Sequence, residues 1–234
     1  MWLEFLLVGL VGLGLLLCPA PLSRRRALVH RLSRLMLRLA GMRLHIADMS
    51  GLPRPCVVVA NHCSYLDGVV LSAALPPDFG FVIKREMRAV PLAGLLLRRI
   101  GAEFVERHDH RRVMSDTRRL MRHAQAGQAL AFFPEGTFVA EVGLLHFHIG
   151  AFATAARADM AVVPIAIRGT RHCLPPGSPW PQPGPIDVRA LAVQPPSALD
   201  GADRGSRAAM LRDRARGALL AALGEPDLAG GARA

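Results

Sequence analysis

Residues 2–18 are apolar apart from Glu4. A helix that crosses hydrocarbon takes about 17–25 such residues, so the run predicts a short N-terminal membrane-anchoring helix. Arg24, Arg25 and Arg26 follow it directly. No basic stretch precedes it, which separates it from a secretory leader. Over residues 27–41, Leu28, Leu32, Leu35 and Leu39 recur at helical spacing on one face, with Arg31, Arg34 and Arg38 on a neighbouring face. That pattern predicts a basic amphipathic helix lying in the headgroup region of an anionic leaflet, and Gly41 is placed to end it.

Beyond residue 51 the texture changes. Short apolar runs at 56–60, 79–83, 103–105, 129–133, 161–167 and 186–192 predict strands. Helical patterns are predicted between them near 66–75, 90–99, 110–126 and 148–157. Such alternation implies an α/β fold with a mixed sheet flanked by helices. The proline-rich stretch 175–185 excludes regular structure there. A last helix is expected over 203–222. The chain thus divides into an anchor over 1–22, a basic interfacial segment over 23–46, a folded domain over 47–200, and a closing helix and tail over 201–234.

Composition sharpens this picture in three ways. The chain is 51% hydrophobic with 5% aromatic residues, too few rings for nucleic-acid binding by base stacking. Its formal charge of +11 calls for an anionic partner, and the greasy N-terminus makes anionic membrane lipid the expected one. The four cysteines form no Cys-x-x-Cys pair, which fits a reduced compartment. His146 and His148, and His108 and His110, lack companions at metal-ligand spacing, so no metal is expected.

The candidate chemistry sits where two apolar runs end. Asn61-His62-Cys63-Ser64-Tyr65-Leu66-Asp67 follows the first. Histidine suits proton abstraction from a hydroxyl because its pKa lies near neutrality. A carboxylate on its far ring nitrogen fixes the tautomer. On one continuous helix His62 and Asp67 would point about 140° apart. They meet only if His62 lies in the turn and Asp67 in the first helical turn. Ser64-x-x-Asp67 resembles a capping box and predicts a helix start at Ser64. Phe133-Pro134-Glu135-Gly136-Thr137 ends another run. Pro134 stops the strand and Gly136 permits a tight turn with exposed N–H groups, suited to an oxyanion or phosphate. Glu135 is expected to orient hydroxyls or organise the turn. Lys84 and Arg107 end two further predicted strands as candidate anion ligands.

Four blocks occur in order: Asn61-His62-x-Ser64-x-x-Asp67, Gly101-x-x-Phe104-Val105-x-Arg107, Phe133-Pro134-Glu135-Gly136-Thr137 and Val163-Pro164-Ile165-x-Ile167. Together they resemble the glycerolipid acyltransferases, the lysophosphatidic acid acyltransferase family, over roughly residues 45–195. The resemblance implies acyl transfer from acyl-CoA or acyl carrier protein, a co-substrate rather than a cofactor, to the hydroxyl of a lysolipid. It makes His62 the general base and Asp67 its orienting partner. Arg107, Glu135, Gly136, Thr137 and Lys84 are assigned to substrate binding, and Val163-Pro164-Ile165 to the acyl-binding side. It places the protein at a bacterial-type inner membrane, the catalytic domain on the cytoplasmic face. One departure stands out: the family usually carries arginine after Phe-Pro-Glu-Gly-Thr, and this chain has Phe138. The expected acceptor is 1-acyl-glycerol-3-phosphate, with Arg107, Lys84 or Arg168 replacing the lost charge. The alternatives are a non-phosphate acceptor such as an amino-acid lysolipid, or a non-catalytic lipid-binding protein.

Overall fold

The structure is a computed structural model that describes residues 12, 14, 19–47, 49, 51–106, 110–195 and 203–230. Seven strands form one sheet: β1 Met42–Ala47, β2 Cys56–Ala60, β3 Gly80–Lys84, β4 Glu103–Val105, β5 Leu130–Phe132, β6 Ala161–Arg168 and β7 Gly184–Ala190. Their order is β1-β7-β6-β2-β5-β3-β4. Strands β6, β2, β5, β3 and β4 run parallel. Strand β7 is antiparallel to β6, and β1 is parallel to β7. The expected α/β fold with a mixed sheet is therefore present. Strand β1 was not among the predicted strands, although Met42, Leu44 and Ile46 alternate with polar neighbours. It had been absorbed into the basic segment.

Helices cover both faces. Helices α1 Leu22–Leu39 and α2 Asp67–Ala74 lie on one side. Helices α4 His110–Gln125, α5 Gly150–Ala158 and α7 Arg204–Leu223 lie on the other, with α3 Ala93–Arg99 and the one-turn α6 Thr170–Cys173 completing the set. Every residue of β2 is fully buried. Its side chains alternate: Cys56, Val58 and Ala60 join the α1–α2 core, and Val57 and Val59 join the other. A strand buried on both faces reads as an unbroken apolar run, which is why Cys56-Val57-Val58-Val59-Ala60 was so legible. Parallel strands also place the exits of β2, β3, β4, β5 and β6 on one edge of the sheet, where ligands bind in open α/β folds.

Helix α1 docks through its polar side chains. Arg25 Nη1 donates to the Arg99 carbonyl, and Arg26 donates to those of Asp78, Ile100 and Gly101. Arg34 donates to Ala73, and His30 Nδ1 lies 3.0 Å from the Leu75 carbonyl oxygen. These oxygens include the free C-terminal carbonyls of α2 and α3, where cations are favoured by unsatisfied acceptors and the helix dipole. Ser33 and Leu37 face the core, whereas Leu35 and Leu39 are 45% and 49% exposed. The stripe is therefore split: Leu35 and Leu39 turn outward, whereas Leu28 and Leu32 are half-buried. Among the described residues no helix is long and apolar enough to cross a membrane. The expected anchor over 2–18 lies outside them except for Gly12 and Gly14.

Candidate active site

Helix α2 begins at Asp67 rather than Ser64, and the three residues before it form a turn closed by Asp67 N–H donating to the Ser64 carbonyl. The delay puts Asp67 in the first helical turn and leaves His62 in the connection, the one arrangement in which they meet. His62 Nδ1 lies 2.8 Å from Asp67 Oδ2. The same oxygen accepts from the N–H groups of Cys63 and Ser64, at 2.6 and 2.8 Å. Capping and histidine orientation are thus one interaction, not competing explanations. Asp67 is completely buried, while the His62 side chain is 19% exposed. Among the described residues His62 Nε2 has no hydrogen-bond partner, so with Nδ1 held as the donor it is the basic atom facing outward.

The turn after β5 meets this loop. Glu135 Oε1 accepts from His62 N–H at 2.6 Å, and Oε2 accepts from Leu145 N–H at 2.9 Å. Both oxygens are engaged and the residue is 3% exposed. Glu135 ties the turn to the His62 backbone. Burial pushes its carboxyl up to about 7, opposed in part by the two N–H donors. Gly136 has φ 73, a left-handed conformation that glycine adopts without steric cost. Thr137 is exposed on the same turn.

Aromatic rings frame the imidazole. Phe133 stacks on it at 4.4 Å between centroids, and Phe138 meets it edge-on at 4.6 Å. Tyr65, 68% exposed, packs edge-on against Phe138 at 4.8 Å. Phe138, noticed in the sequence only as a missing arginine, is thus a wall of the site. Cys63, beside the base, is no nucleophile: burial, followed by the Asp67 charge, pushes its thiol up to about 12. Its Sγ lies 3.2 Å from Thr170 Oγ1. Asn61 exchanges two hydrogen bonds with the backbone of Ile167, pinning the exit of β2 to β6.

The remaining candidates are scattered along the edge. Lys84 ends β3, two strands from His62. Arg107 lies outside the described residues. Arg168 donates to the Ala222 carbonyl of α7. Val163 and Ile165 are fully buried inside the sheet, so their side chains support the fold rather than line an open acyl path. Arg171, which follows the exit of β6 and Gly169, was not among the sequence candidates; its Nη1 donates to the carbonyls of Val139 and Ala140.

A histidine–aspartate pair at the exit of a central parallel strand, joined by a buried glutamate to a second exit, is the arrangement the four sequence blocks imply for an acyltransferase. The model of the family described as Acyltransferase matches residues 43–168, and the chain belongs to that family. It is 31% identical over 201 residues to 1-acyl-sn-glycerol-3-phosphate acyltransferase BAT2, chloroplastic, of Brassica napus, covering 82% of this chain and 55% of that one. It is 37% identical over 183 residues to the lyso-ornithine lipid O-acyltransferase of Pseudomonas aeruginosa, covering 72% and 68%. The chain spans about half the length of several curated relatives it matches. The crystal structure of the 1-acyl-sn-glycerophosphate (LPA) acyltransferase PlsC from Thermotoga maritima superposes with a TM-score of 0.71 over 92% of this chain and 93% of that one, at 19% identity. That likeness establishes the shared fold.

Proposed function

We propose that the protein is an O-acyltransferase that moves an acyl chain from the thioester of acyl-CoA or acyl carrier protein to the free hydroxyl of a lysolipid. The observation that carries this reading is His62: its Nδ1 is held by a buried carboxylate while its Nε2 faces outward between two aromatic rings. Nε2 takes the hydroxyl proton as the alcohol oxygen attacks the thioester carbon. The tetrahedral intermediate collapses, the carbon–sulfur bond breaks, and the proton passes from the imidazolium to the leaving thiolate. Asp67 stabilises the transient imidazolium. Glu135 acts through the His62 backbone. The Gly136 turn with Thr137, Lys84 and Arg107 makes the proposed contacts to the oxyanion and headgroup, the Gly136 N–H itself closing the turn onto the Phe133 carbonyl.

Relatives named for 1-acyl-sn-glycerol-3-phosphate support a phosphate-bearing acceptor. A second reading, an amino-acid lysolipid, is favoured by Phe138, whose ring stands against His62 where a phosphate-pairing cation was expected. The exposed Leu35 and Leu39 of α1, with exposed Arg24, Arg31 and Arg38 on the same helix, support seating on an anionic membrane surface. The test is a purified-protein assay with labelled acyl-CoA or acyl carrier protein and a panel of lysolipids. Formation of a diacylated product is expected. Thioester hydrolysis alone, with no lysolipid acylated, would overturn the proposal.

A further inference from the structure

Building on the acyl-transfer reading, we propose that Arg171 is the guanidinium that holds the anionic group of the acceptor headgroup, in place of the arginine absent at position 138. The Phe-Pro-Glu-Gly-Thr turn itself supplies no cation, because Phe138 packs against His62 and Tyr65. The guanidinium comes instead from the exit of β6. Arg171 Nη1 donates to the carbonyls of Val139 and Ala140 at 2.9 and 3.0 Å, the two residues that follow Phe138. Its neighbour Thr170 touches Cys63, the residue after His62. The Arg171 charge also reaches the Cys63 thiol, where it acts to lower the pKa against a larger effect of burial.

The unused donors of Arg171 are the informative ones. Nε is buried and has no partner, and Nη2 makes no hydrogen bond among the described residues. These two N–H groups lie on the same edge of the planar guanidinium, the edge that grips a carboxylate or phosphate through two parallel hydrogen bonds. A buried donor left unpaired costs about 1–3 kcal/mol, which an anion seated on that edge would relieve. Two other arginines stand against other groups, and Lys84 remains a second proposed headgroup contact at the end of β3. Arg168 donates to Ala222, and Arg85 lies 3.7 and 3.8 Å from carboxylate oxygens of Glu106 and Asp116. Gly169 places the helix that carries Arg171. It has φ 88, and a Cβ there would sit 2.1 Å from the Pro185 carbonyl oxygen, so the chain turns sharply at this point only with glycine.

Steady-state acylation and equilibrium binding on a His62→Ala background are measured for three lysolipids: 1-acyl-glycerol-3-phosphate, a carboxylate-bearing amino-acid lysolipid and neutral monoacylglycerol. Arg171→Gln is expected to weaken binding and raise KM by about ten- to a hundredfold for whichever anionic acceptor is native. Neutral monoacylglycerol should be unaffected. Arg171→Lys, which keeps the charge but loses the fork, should fall between. Adding Phe138→Arg to Arg171→Gln should restore binding of the anionic acceptor. The phosphate and carboxylate arms tell the two headgroup sources apart. Equal weakening of all three ligands would reduce Arg171 to a loop-holding residue and overturn the proposal, as would unchanged binding of both anionic ligands. If the wild type acylates nothing yet binds an anionic lysolipid through Arg171, the inference stands and the reaction reading falls. Turnover with an Arg171-independent KM gives the reverse.

Discussion

The exits of β2 and β4 lie on the same edge of the sheet, and each gathers buried carboxylates and cations. At β4 all three guanidinium nitrogens of Arg119 are engaged. Nε meets Glu103 at 2.9 Å, Nη1 meets Asp116 at 2.7 Å, and Nη2 meets the Phe104 carbonyl at 2.7 Å. Asp116 also accepts from Glu106 N–H, which pins the strand to α4. At β2 the carboxylates are held as firmly, but the chain of contacts stops at an imidazole nitrogen with nothing on it. The β4 cluster also leaves atoms without hydrogen bonds, Arg85 Nε and His123 Nδ1, but both are buried against its carboxylates. The β2 cluster leaves two groups without a partner, the buried Oδ1 of Asp67 and the partly exposed imidazole edge of His62, and only the second is open to an incoming molecule, as a reacting group must be. Neither charge density nor a count of unpaired atoms separates the two regions, whereas the exposure of the unpaired group does.

That comparison can be broken from the β2 side first. Asp67→Asn should lower kcat by about 10²–10⁴-fold, because the imidazole loses its orienting anion and its preferred tautomer; single-turnover acyl transfer measures it. Glu135→Ala leaves the N–H groups of His62 and Leu145 without their acceptor. It should cost about 2–6 kcal/mol in chemical denaturation, counting about 1–3 for each unsatisfied group, and kcat should fall with it as the His62 loop loosens. On the β4 side, Arg119→Ala should lower stability by about 1–3 kcal/mol, the cost of leaving buried Asp116 short of a partner, with kcat retained. A collapse of kcat at unchanged stability would erase the distinction between the two exits. The smallest effect is a pH slope. The folded-state pKa of Glu135 is raised to about 7 from an ordinary 4.5, so between those values the folded state binds more protons than the unfolded one. Its contribution to stability is therefore largest below about pH 4.5, declines as pH rises, and levels off above about 7. Glu135→Gln should remove that component from melting temperatures measured across the range.

Most of the sheet was legible because its central strands are buried on both faces and read as apolar blocks ended by proline, glycine or polar residues. The pairing of His62 with Asp67 was legible as a condition on where the helix begins, and the helix begins where the condition requires. Strand β1 was not, because a basic helix precedes it without a clear polar break and its own alternation is short. The arginines of α1 were expected at a membrane surface. The helix spacing could not show that Arg25, Arg26 and Arg34 reach carbonyls at the ends of α2 and α3, since those partners lie some 39 to 75 residues away in sequence. Glu135 illustrates the same limit. Its neighbours suggested a residue at the acceptor, but its two partners come from separate segments, and only the fold shows both oxygens taken. Phe138 was visible as a departure from the family pattern. The replacement charge was expected from Arg107, Lys84 or Arg168; the proposed Arg171 lies three residues past the last of these, and nothing local distinguishes an arginine that bonds a helix end from one that reaches the Phe138 turn.

The account rests on an unpartnered imidazole nitrogen that removes a proton from a lipid alcohol. Its most direct measurement is the rate of acyl transfer by purified His62→Ala, with a thermal melt of the same sample. Transfer at background with a melt matching wild type is the predicted result. Transfer within about tenfold of wild type, well short of the 10²–10⁴-fold that a general base supplies, would contradict it.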